Sequence, residues 1–409
     1  MRIILHCDMN NFYASVECFL NPELKKYPIA VGGDVEERHG IILAKNYKAK
    51  AYGVTTGEAI WQAKGKCRDL VVVPPHYDEY MKFSKLAREI YGRYTEIVEP
   101  FGLDECWLDC SVVSSFEKGE EIANEIRETI KNELGLTISV GVSFNKIFAK
   151  LGSDMKKPDA VTVIRDDDFK NKIWNLPASD LLGVGRATTK VLNSFGIRTI
   201  GDMARWPADF YKRKFGKRGI DLWNFANGKD NSPVTVRDIE ALDKSCGNGI
   251  TTLQDLNTNE EVFKVMFELS QEIGHRLFIY NKYAKGIAID IRDSDLMTKQ
   301  WQSQLSFSTQ SPKVIAKEAY KLFGRRYEWR KPIRSVTVRA INLVSSDEPE
   351  QIDLFLDTKR HEREKNLDRA IENIRSRFGS GIVSYATLLD NPKMPKHHTN
   401  MVMPAGIQI

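Results

Sequence analysis

The stretch EIVEPFGLDECWLDC, Glu96 to Cys110, decides the fold. Two apolar runs, near 96–101 and 104–111, flank a tight Gly102-Leu103 connection that leads straight into the acidic pair Asp104-Glu105. Short runs joined in this way predict an antiparallel hairpin. On its N-terminal side the pattern predicts a helix around 78–95. On its C-terminal side Ile122, Ile126 and Ile130, four apart, predict an amphipathic helix over 117–134. The strand LTISVGV follows, then a helix from about Asn145 to Asp154 closed by Lys157-Pro158, and a strand at 160–164. At the chain start an apolar strand over 2–7 runs into Asp8. Strands interleaved with helices around a hairpin predict an α+β, ferredoxin-like sheet.

An acidic residue at a strand end is often only a turn former, so Asp8, Asp104 or Glu105 alone says little. The arrangement says more. If the first strand lies beside the hairpin, three carboxylates converge at one sheet end, and burying that much negative charge is costly unless cations neutralise it. Hard divalent ions held by few carboxylates, with substrate phosphates completing the shell, are the Mg²⁺ solution. Two such ions stabilise the attacking and leaving oxygens of an in-line phosphoryl transfer.

Composition narrows the class. With 42% hydrophobic and 28% charged residues the 409-residue chain reads as an ordinary globular protein of two to four domains. No apolar run approaches the roughly 20 residues that span a bilayer, so no membrane association is expected. The N-terminus is too short and too acidic at its end for a secretory segment. Six scattered cysteines, without a CxxC pair, read as reduced thiols in a cytoplasmic protein, and Cys106 and Cys110 lack the partners a zinc site needs. The net charge is only +5, but Arg186–Arg218 and Lys313–Arg339 each hold nine Lys or Arg against two acids. Two basic lobes on an otherwise acidic chain point to a polyanion partner.

Residues 166–235 read as helix and turn, rich in Gly, Trp and basic residues. Within them LLGVGRATTKVLNSFGI has the helix-hairpin-helix pattern, in which Gly183, Gly185 and Arg186 bring backbone N–H groups and a cation to a DNA phosphate. From about 246 to 344 the order is strand, helix, strand, strand, helix, strand. Ile287, Ile289 and Ile291 alternate with Ala288, Asp290 and Arg292, as in a half-buried strand. Ser335, Thr337 and Arg339 alternate with Val336, Val338 and Ala340, giving a face that can meet DNA. Trp301, Leu305 and Phe307 read as core. Leu367, Ile371, Ile374 and Phe378 predict a further amphipathic helix that packs back on the protein or meets a partner.

Together these blocks resemble the Y-family DNA polymerases, the DinB-like or polymerase IV group. HCDMNNFYASVE and FGLDECWLD look like the two metal-binding motifs; NYKAKAYGV, VGVSFNKIFAKLGSDMKKP and LLGVGRATTKVLNSFGI follow in the family's order and spacing. The resemblance covers roughly residues 1–345. It implies a right-hand polymerase with a ferredoxin-like palm (1–10 and 78–165), small fingers (11–77), a helix-hairpin-helix thumb (166–235), a linker (236–245), a βαββαβ little finger (246–345) and a C-terminal tail (346–409).

By the same resemblance Asp8, Asp104 and Glu105 bind two Mg²⁺, with Mn²⁺ as a substitute, assisted by the carbonyl of Met9. Tyr13, with Phe12 beside it, is the gate that excludes a ribose 2′-OH. Tyr47, Lys50 and Lys157 hold the triphosphate of a deoxynucleotide. The chain departs from the family where Gly102-Leu103 and Cys106-Trp107 flank the acidic pair in place of Ser-Ile and Ala-Tyr. Asn10 stands where Asp is common, and Lys50, a point charge, where Arg is frequent. Gln351-Ile-Asp-Leu354-Phe355 has the form by which bacterial polymerases dock on the sliding clamp. The implied activity is error-tolerant, weakly processive lesion bypass by a cytoplasmic monomer on primer-template DNA. Two rivals are a non-catalytic accessory protein bridging DNA and clamp, and a nucleotide cyclase on a similar palm.

Overall fold

A computed structural model describes residues 1–34, 38, 40–113, 115–236, 244–345, 348, 358–379, 382–389 and 393–394. They fall into two units, one built on Met1–Gly33 and Ile41–Ile239, the other on Glu240–Val402. Most of the expected linker at 236–245, and all of Gln351, Leu354 and Phe355, lie outside the described residues.

The first unit runs β1 (Ile4–Met9), α1 (Phe12–Leu20), β2 (Ile29–Gly32), β3 (Ile42–Lys45), α2 (Tyr47–Ala51), α3 (Ile60–Lys66), β4 (Val71–Val73), α4 (Tyr77–Tyr91), β5 (Val98–Pro100), β6 (Glu105–Asp109), α5 (Phe116–Leu134), β7 (Ile138–Ser143), α6 (Lys146–Met155), β8 (Val161–Ile164), α7 (Phe169–Ile173), α8 (Arg186–Ser194), α9 (Ile200–Arg205) and α10 (Ala208–Ala226). Its main sheet has the order β5-β6-β1-β7-β8. Within it β1, α4, β5, β6, α5 and β7 make the ferredoxin-like set, its second, third, first and fourth strands lying side by side. Strand β8 adds on in parallel with β7.

Local chemistry sets the ends of these elements. Ser115 caps α5 by accepting from the Lys118 amide, and Gly135, at a φ of 67°, stops it in the left-handed region. Ile126 and Ile130 are buried on its inner face, as the spacing predicts, while Ile122 is half-buried and Ala123 beside it is buried. One difference from the expected boundaries matters. β1 continues past residue 7 to Met9 because β7 goes on pairing with it, Asp8 opposite Ser139 and Met9 opposite Ile138. Asp8 is therefore inside a strand, and 6% exposed.

The two faces of this sheet differ. Ile3, Leu5, Cys7 and Met9 point into the core shared with Ala87, Ile90, Ala123, Ile126 and Ile130 of α4 and α5. The other face is met by α6, and Ile4, Trp107 and Ala149 cluster there. Helix α6 approaches closely because Gly141 of β7 has no side chain. A Cβ at 141 would collide with the Ala149 carbonyl oxygen and the Ser153 amide. Residues 11–77 contribute a small sheet of order β3-β2-β4 and the short helices α1, α2 and α3. From α7 to α10 the structure is helical around Phe148, Leu192, Ile200, Tyr211 and Leu222, with α10 broken at Gly216. Before the Gly183–Gly185 turn stands only a single 3-10 turn, Ala178–Asp180, in place of a full helix.

The second unit runs β9 (Ser245–Leu256), α11 (Asn259–Ile279), β10 (Lys282–Asp293), β11 (Thr298–Thr309), α12 (Pro312–Arg326), β12 (Ile333–Ser345) and α13 (Thr358–Phe378), with its strands in the order β11-β10-β12-β9. Helices α11 and α12 cover one face over Ile287, Ile289, Ile291, Val336 and Val338. Trp301 and Leu305 pack against that core, as expected.

Helix α13 forms where the spacing predicts it, and most of its apolar residues face outward. Leu367, Ile374 and Phe378 are 55%, 40% and 70% exposed, while Glu372 and Arg375 are buried. Glu372 Oε2 lies 2.7 Å from His275 Nδ1 of α11. Arg375 donates to Gln271 Oε1 at 3.2 Å and to the Val383 carbonyl at 2.8 Å. The helix turns its polar side inward because α11 offers polar groups there, and each must find a partner when water is excluded. Helix α13 thus packs back on α11 through a polar seam.

Candidate active site

Asp8 and Glu105 face each other across the antiparallel pair β1–β6, and Asp104 precedes Glu105 at the hairpin turn. The turn is held from both sides. The Met9 amide donates to the Asp104 carbonyl at 3.0 Å, which aligns Met9 with the acidic pair. From α4, the Ser84 hydroxyl donates to the Leu103 carbonyl, and Arg88 donates to the Gly102 carbonyl at 3.3 Å. Gly102, at a φ of 93°, makes the bend that most side chains would resist.

These carboxylates line a cleft of about 560 Å³ together with Met9, Phe12, Tyr13, Ile41–Lys45, Thr56, Tyr77, Asp154 and Lys157. Of the residues singled out from sequence, the cleft brings together Asp8, Met9, Phe12, Tyr13, Asp104, Glu105 and Lys157. Tyr47 and Lys50 are not in its wall. Tyr47 still senses the charges of Lys157 and Asp8, and Lys50 lies 5.6 Å from the centre of the Tyr47 ring. Lys45, which the motifs did not point to, lines the cleft and donates to Thr56 at 3.1 Å.

Helix α6 supplies what the sequence reading missed. Lys150 Nζ is 2.7 Å from Glu105, 3.9 Å from Asp8 and 3.4 Å from Asp154; Lys157 Nζ is 2.9 Å from Asp8 and 2.8 Å from Asp154. The available signal was Lys146, Lys150 and Asp154, charged residues four apart in an otherwise apolar helix. Beneath them His6, fully buried, places Nδ1 2.8 Å from the Ser153 hydroxyl and Nε2 3.2 Å from Glu105 Oε2. Glu105 Oε2 thus lies between the His6 ring and the Lys150 ammonium.

The electrostatics follow from this crowding. Burial, then the charges of Asp8 and Glu105, push Asp104 up to about 7. Burial pushes Asp8 up to about 6 against the pull of Lys157. Burial also works on Glu105, but His6 and Lys150 outweigh it and hold that carboxyl at about 2. Burial lowers His6 to about 4, so its ring is neutral at pH 7. Lys150 and Lys157 are held charged by the carboxylates they face, against the effect of their own burial. The site is a patch of competing acids whose ionisation a further cation would favour.

The donor set is one that a hard divalent ion accepts: three carboxylates lining one cleft, with the backbone of Met9 beside them. Among the described residues no three His, Cys, Asp or Glu side chains close around one point. Mg²⁺ takes few protein ligands and fills its shell with water and phosphate oxygens, so carboxylates lining an open cleft suit it.

The nucleic-acid candidates sit elsewhere. Gly185 caps α8 without a side-chain hydrogen bond, and Arg186 opens that helix on the surface. Gly183 has a φ of 91° and leaves room for the Arg218 guanidinium. On β12, Ser335, Thr337 and Arg339 alternate with buried Val336, Val338 and Ala340. Thr337 and Arg339 lie over Gly249 and Gly247, their partners on β9, where any Cβ would collide with them. Arg339 also donates to Asp290 at 3.1 Å.

The sequence profile of the impB/mucB/samB family matches residues 7–154, that of its C-terminal domain residues 243–354, and that of the DNA polymerase-iota thumb domain residues 179–230. The chain is 51% identical over 391 residues to DNA polymerase IV of Acetivibrio thermocellus, covering 95% of this chain and 98% of that protein. It is 35% identical over 383 residues to DNA polymerase IV 1 of Bacillus subtilis, covering 93% and 92%. A solved Y-family DNA polymerase chimera superposes with a TM-score of 0.74 over 84% of this chain and 99% of its own, at 24% identity.

Proposed function

Since the chain belongs to the impB/mucB/samB family of Y-family DNA polymerases, with bacterial DNA polymerase IV proteins as its relatives, we propose how its residues carry out template-directed, translesion DNA synthesis. The substrates are primer-template DNA and a deoxynucleoside triphosphate, and the nucleotidyl transfer depends on divalent metal. Asp8, Asp104 and Glu105 are the ligands of two Mg²⁺ ions, with the Met9 carbonyl beside them and Mn²⁺ as a substitute. When bound, the ions neutralise the carboxylates and stabilise charge on the attacking and leaving oxygens. The observation that carries this reading is the pairing of Asp8 with Glu105 at one end of the sheet, with Asp104 beside them in the same cleft.

The chain's own residues then divide the remaining work. Tyr13 and Phe12 stand in the cleft wall as the sugar gate. Lys157, already beside Asp8, can exchange a carboxylate for a triphosphate oxygen. Tyr47 and Lys50, outside the cleft wall, hold the tail of the triphosphate. No positioned general base is evident among the described residues that line the cleft, so alignment and electrostatics do most of the chemistry. An accessory role without catalysis has no support here, because a scaffold gains nothing from carboxylates whose burial costs stability.

In the proposed domain plan residues 1–10 and 78–165 form the palm, 11–77 the fingers, 166–235 the thumb and 246–345 the little finger. Gly183, Gly185 and Arg186 hold one DNA phosphate backbone, and Ser335, Thr337 and Arg339 another stretch. Gln351, Leu354 and Phe355 dock on the sliding clamp, which offsets low intrinsic processivity. The enzyme works as a cytoplasmic monomer. Primer extension with Mg²⁺ and each single deoxynucleotide tests the core of this account. Incorporation should follow the template base, and extension that ignores the template would overturn it.

A further inference from the structure

Behind the gate lies a connected set of groups that metal binding and triphosphate binding do not require. The Tyr13 ring stacks on Tyr80 with 4.2 Å between centres and 9° between planes. Tyr77 stands edge-on to both rings, 6.0 Å from Tyr13 and 5.8 Å from Tyr80. Tyr80 is fully buried, and its hydroxyl donates to Glu17 Oε1. Glu17, on α1 one turn beyond Tyr13, is 4% exposed and has His76 Nδ1 3.0 Å from each of its oxygens. A buried carboxylate is expensive to keep, and this one sits at the foot of the ring that backs the gate.

We propose that Glu17 is a positioning residue for sugar selection, acting by fixing Tyr80, which in turn keeps the Tyr13 ring from yielding to a ribose 2′-OH. The inference rests on the reading of Tyr13 as the gate. A gate discriminates only if it stays where it is. An unsupported tyrosine relieves a clash by rotating about its side-chain torsions, and the extra hydroxyl then fits. Face-to-face stacking removes that escape, because the ring cannot tilt without losing contact with Tyr80. Tyr80 can serve as a wall only while its hydroxyl end is tied, and Glu17 is the group that ties it. His76, the N-cap residue of α4, the helix that carries Tyr80, also holds the carboxylate.

Single-nucleotide incorporation kinetics with ribo- and deoxynucleotides of the same base test this, on Glu17→Ala, Glu17→Gln, Tyr80→Phe and Tyr13→Ala in the full chain. Glu17→Ala should raise the ribo-to-deoxy ratio of kcat/KM about fivefold, mainly through a lower KM for the ribonucleotide. Glu17→Gln keeps an acceptor for the Tyr80 hydroxyl and should restore most of the discrimination. Tyr80→Phe removes the hydroxyl, keeps the ring and opens almost no cavity, so it should reproduce Glu17→Ala even if that variant folds poorly. A loss of rate that falls equally on both sugars would overturn the proposal and make Glu17 structural. If Tyr13→Ala raises the ratio while Glu17→Ala and Tyr80→Phe do not, the gate stands and this inference falls. If Tyr13→Ala leaves the ratio unchanged, both fall together.

Discussion

The palm and the little finger use the same succession of elements, strand, helix, strand, strand, helix, strand, and build different sheets from it. In the palm the first and third strands, β1 and β6, lie together in the middle. In the little finger the second and fourth, β10 and β12, do so. The palm order brings the chain's eighth residue beside the hairpin about a hundred residues later, and acids that are scattered in sequence become neighbours. The little-finger order instead runs two long strands side by side, Asp290 opposite Thr337 and Ala288 opposite Arg339. One arrangement concentrates charge at a point, where every group matters. The other spreads polar groups along a face, where no single group is expected to dominate.

That contrast sets the size of the expected effects. Asp8→Ala or Asp104→Ala should lower nucleotide incorporation by at least about a thousandfold, while primer-template affinity stays near that of the parent. Rapid-quench incorporation and a fluorescence binding isotherm on the same preparation make the comparison. Near-normal incorporation in either variant would end the claim that the palm is the concentrated site.

On the little finger, Arg339→Ala should weaken primer-template binding only about threefold and make the dependence of affinity on salt less steep by about one unit. Incorporation at saturating DNA should hold. Loss of catalysis at saturation would show that β12 is part of the chemistry and erase the distinction.

Protons sharpen it further. Asp8 and Asp104, ordinarily near 3.8, sit at about 6 and about 7 in the fold. Between pH 4 and 7 the folded chain keeps protons that the unfolded chain has released, so without metal the palm loses stability as pH rises through that window. Glu105, held at about 2, has the opposite sign and stabilises above its ordinary 4.5. Mg²⁺ favours the ionised acids and releases their protons. Its addition should raise the melting temperature by a few degrees, roughly 2–4 °C, at pH 8 and by less at pH 5.5. Equal shifts at both pH values would argue that Mg²⁺ binds elsewhere.

The smallest effect on intrinsic activity belongs to the tail. Changing Leu354 and Phe355 together to Ala should leave clamp-free extension within about twofold of the parent and remove the added extension length seen with a loaded clamp. Equal stimulation of both proteins would count against the clamp motif, and loss of clamp-free activity would make the pair part of the fold.

Some of this was legible in the sequence and some was not, for physical reasons. Ile122, Ile126 and Ile130 announce α5, and Ser335 to Ala340 announce β12, because burial imposes the period of the element on the residue types. The hairpin and its acidic pair could be read from Gly102 and its flanks. Lys150 and Asp154 were missed because their importance depends on which sheet face α6 meets, a tertiary fact that helix periodicity does not encode. Strand order in the little finger is silent for the same reason. On α13 the sequence left open which way the apolar residues face. Leu367, Ile374 and Phe378 follow the rule for a buried stripe, yet Glu372 and Arg375 go inside, because fully paired ions can outweigh the apolar pattern when the neighbouring helix is itself polar.

For anyone redesigning this enzyme, the bare α-carbon of Gly141 is the part to leave alone. Helix α6 rests on it, and that helix carries both Lys150, which reaches Glu105, and Ser153, which reaches His6. Every mutation at 141 adds at least one carbon and would jack the helix off the sheet, moving both groups at once. The lysines can be exchanged one at a time and their effects compared. The spacing between helix and sheet offers no such gradual route. It works like a machined shim of zero thickness, and any attempt to tune the acids should begin from residues on α6 and not from the surface beneath it.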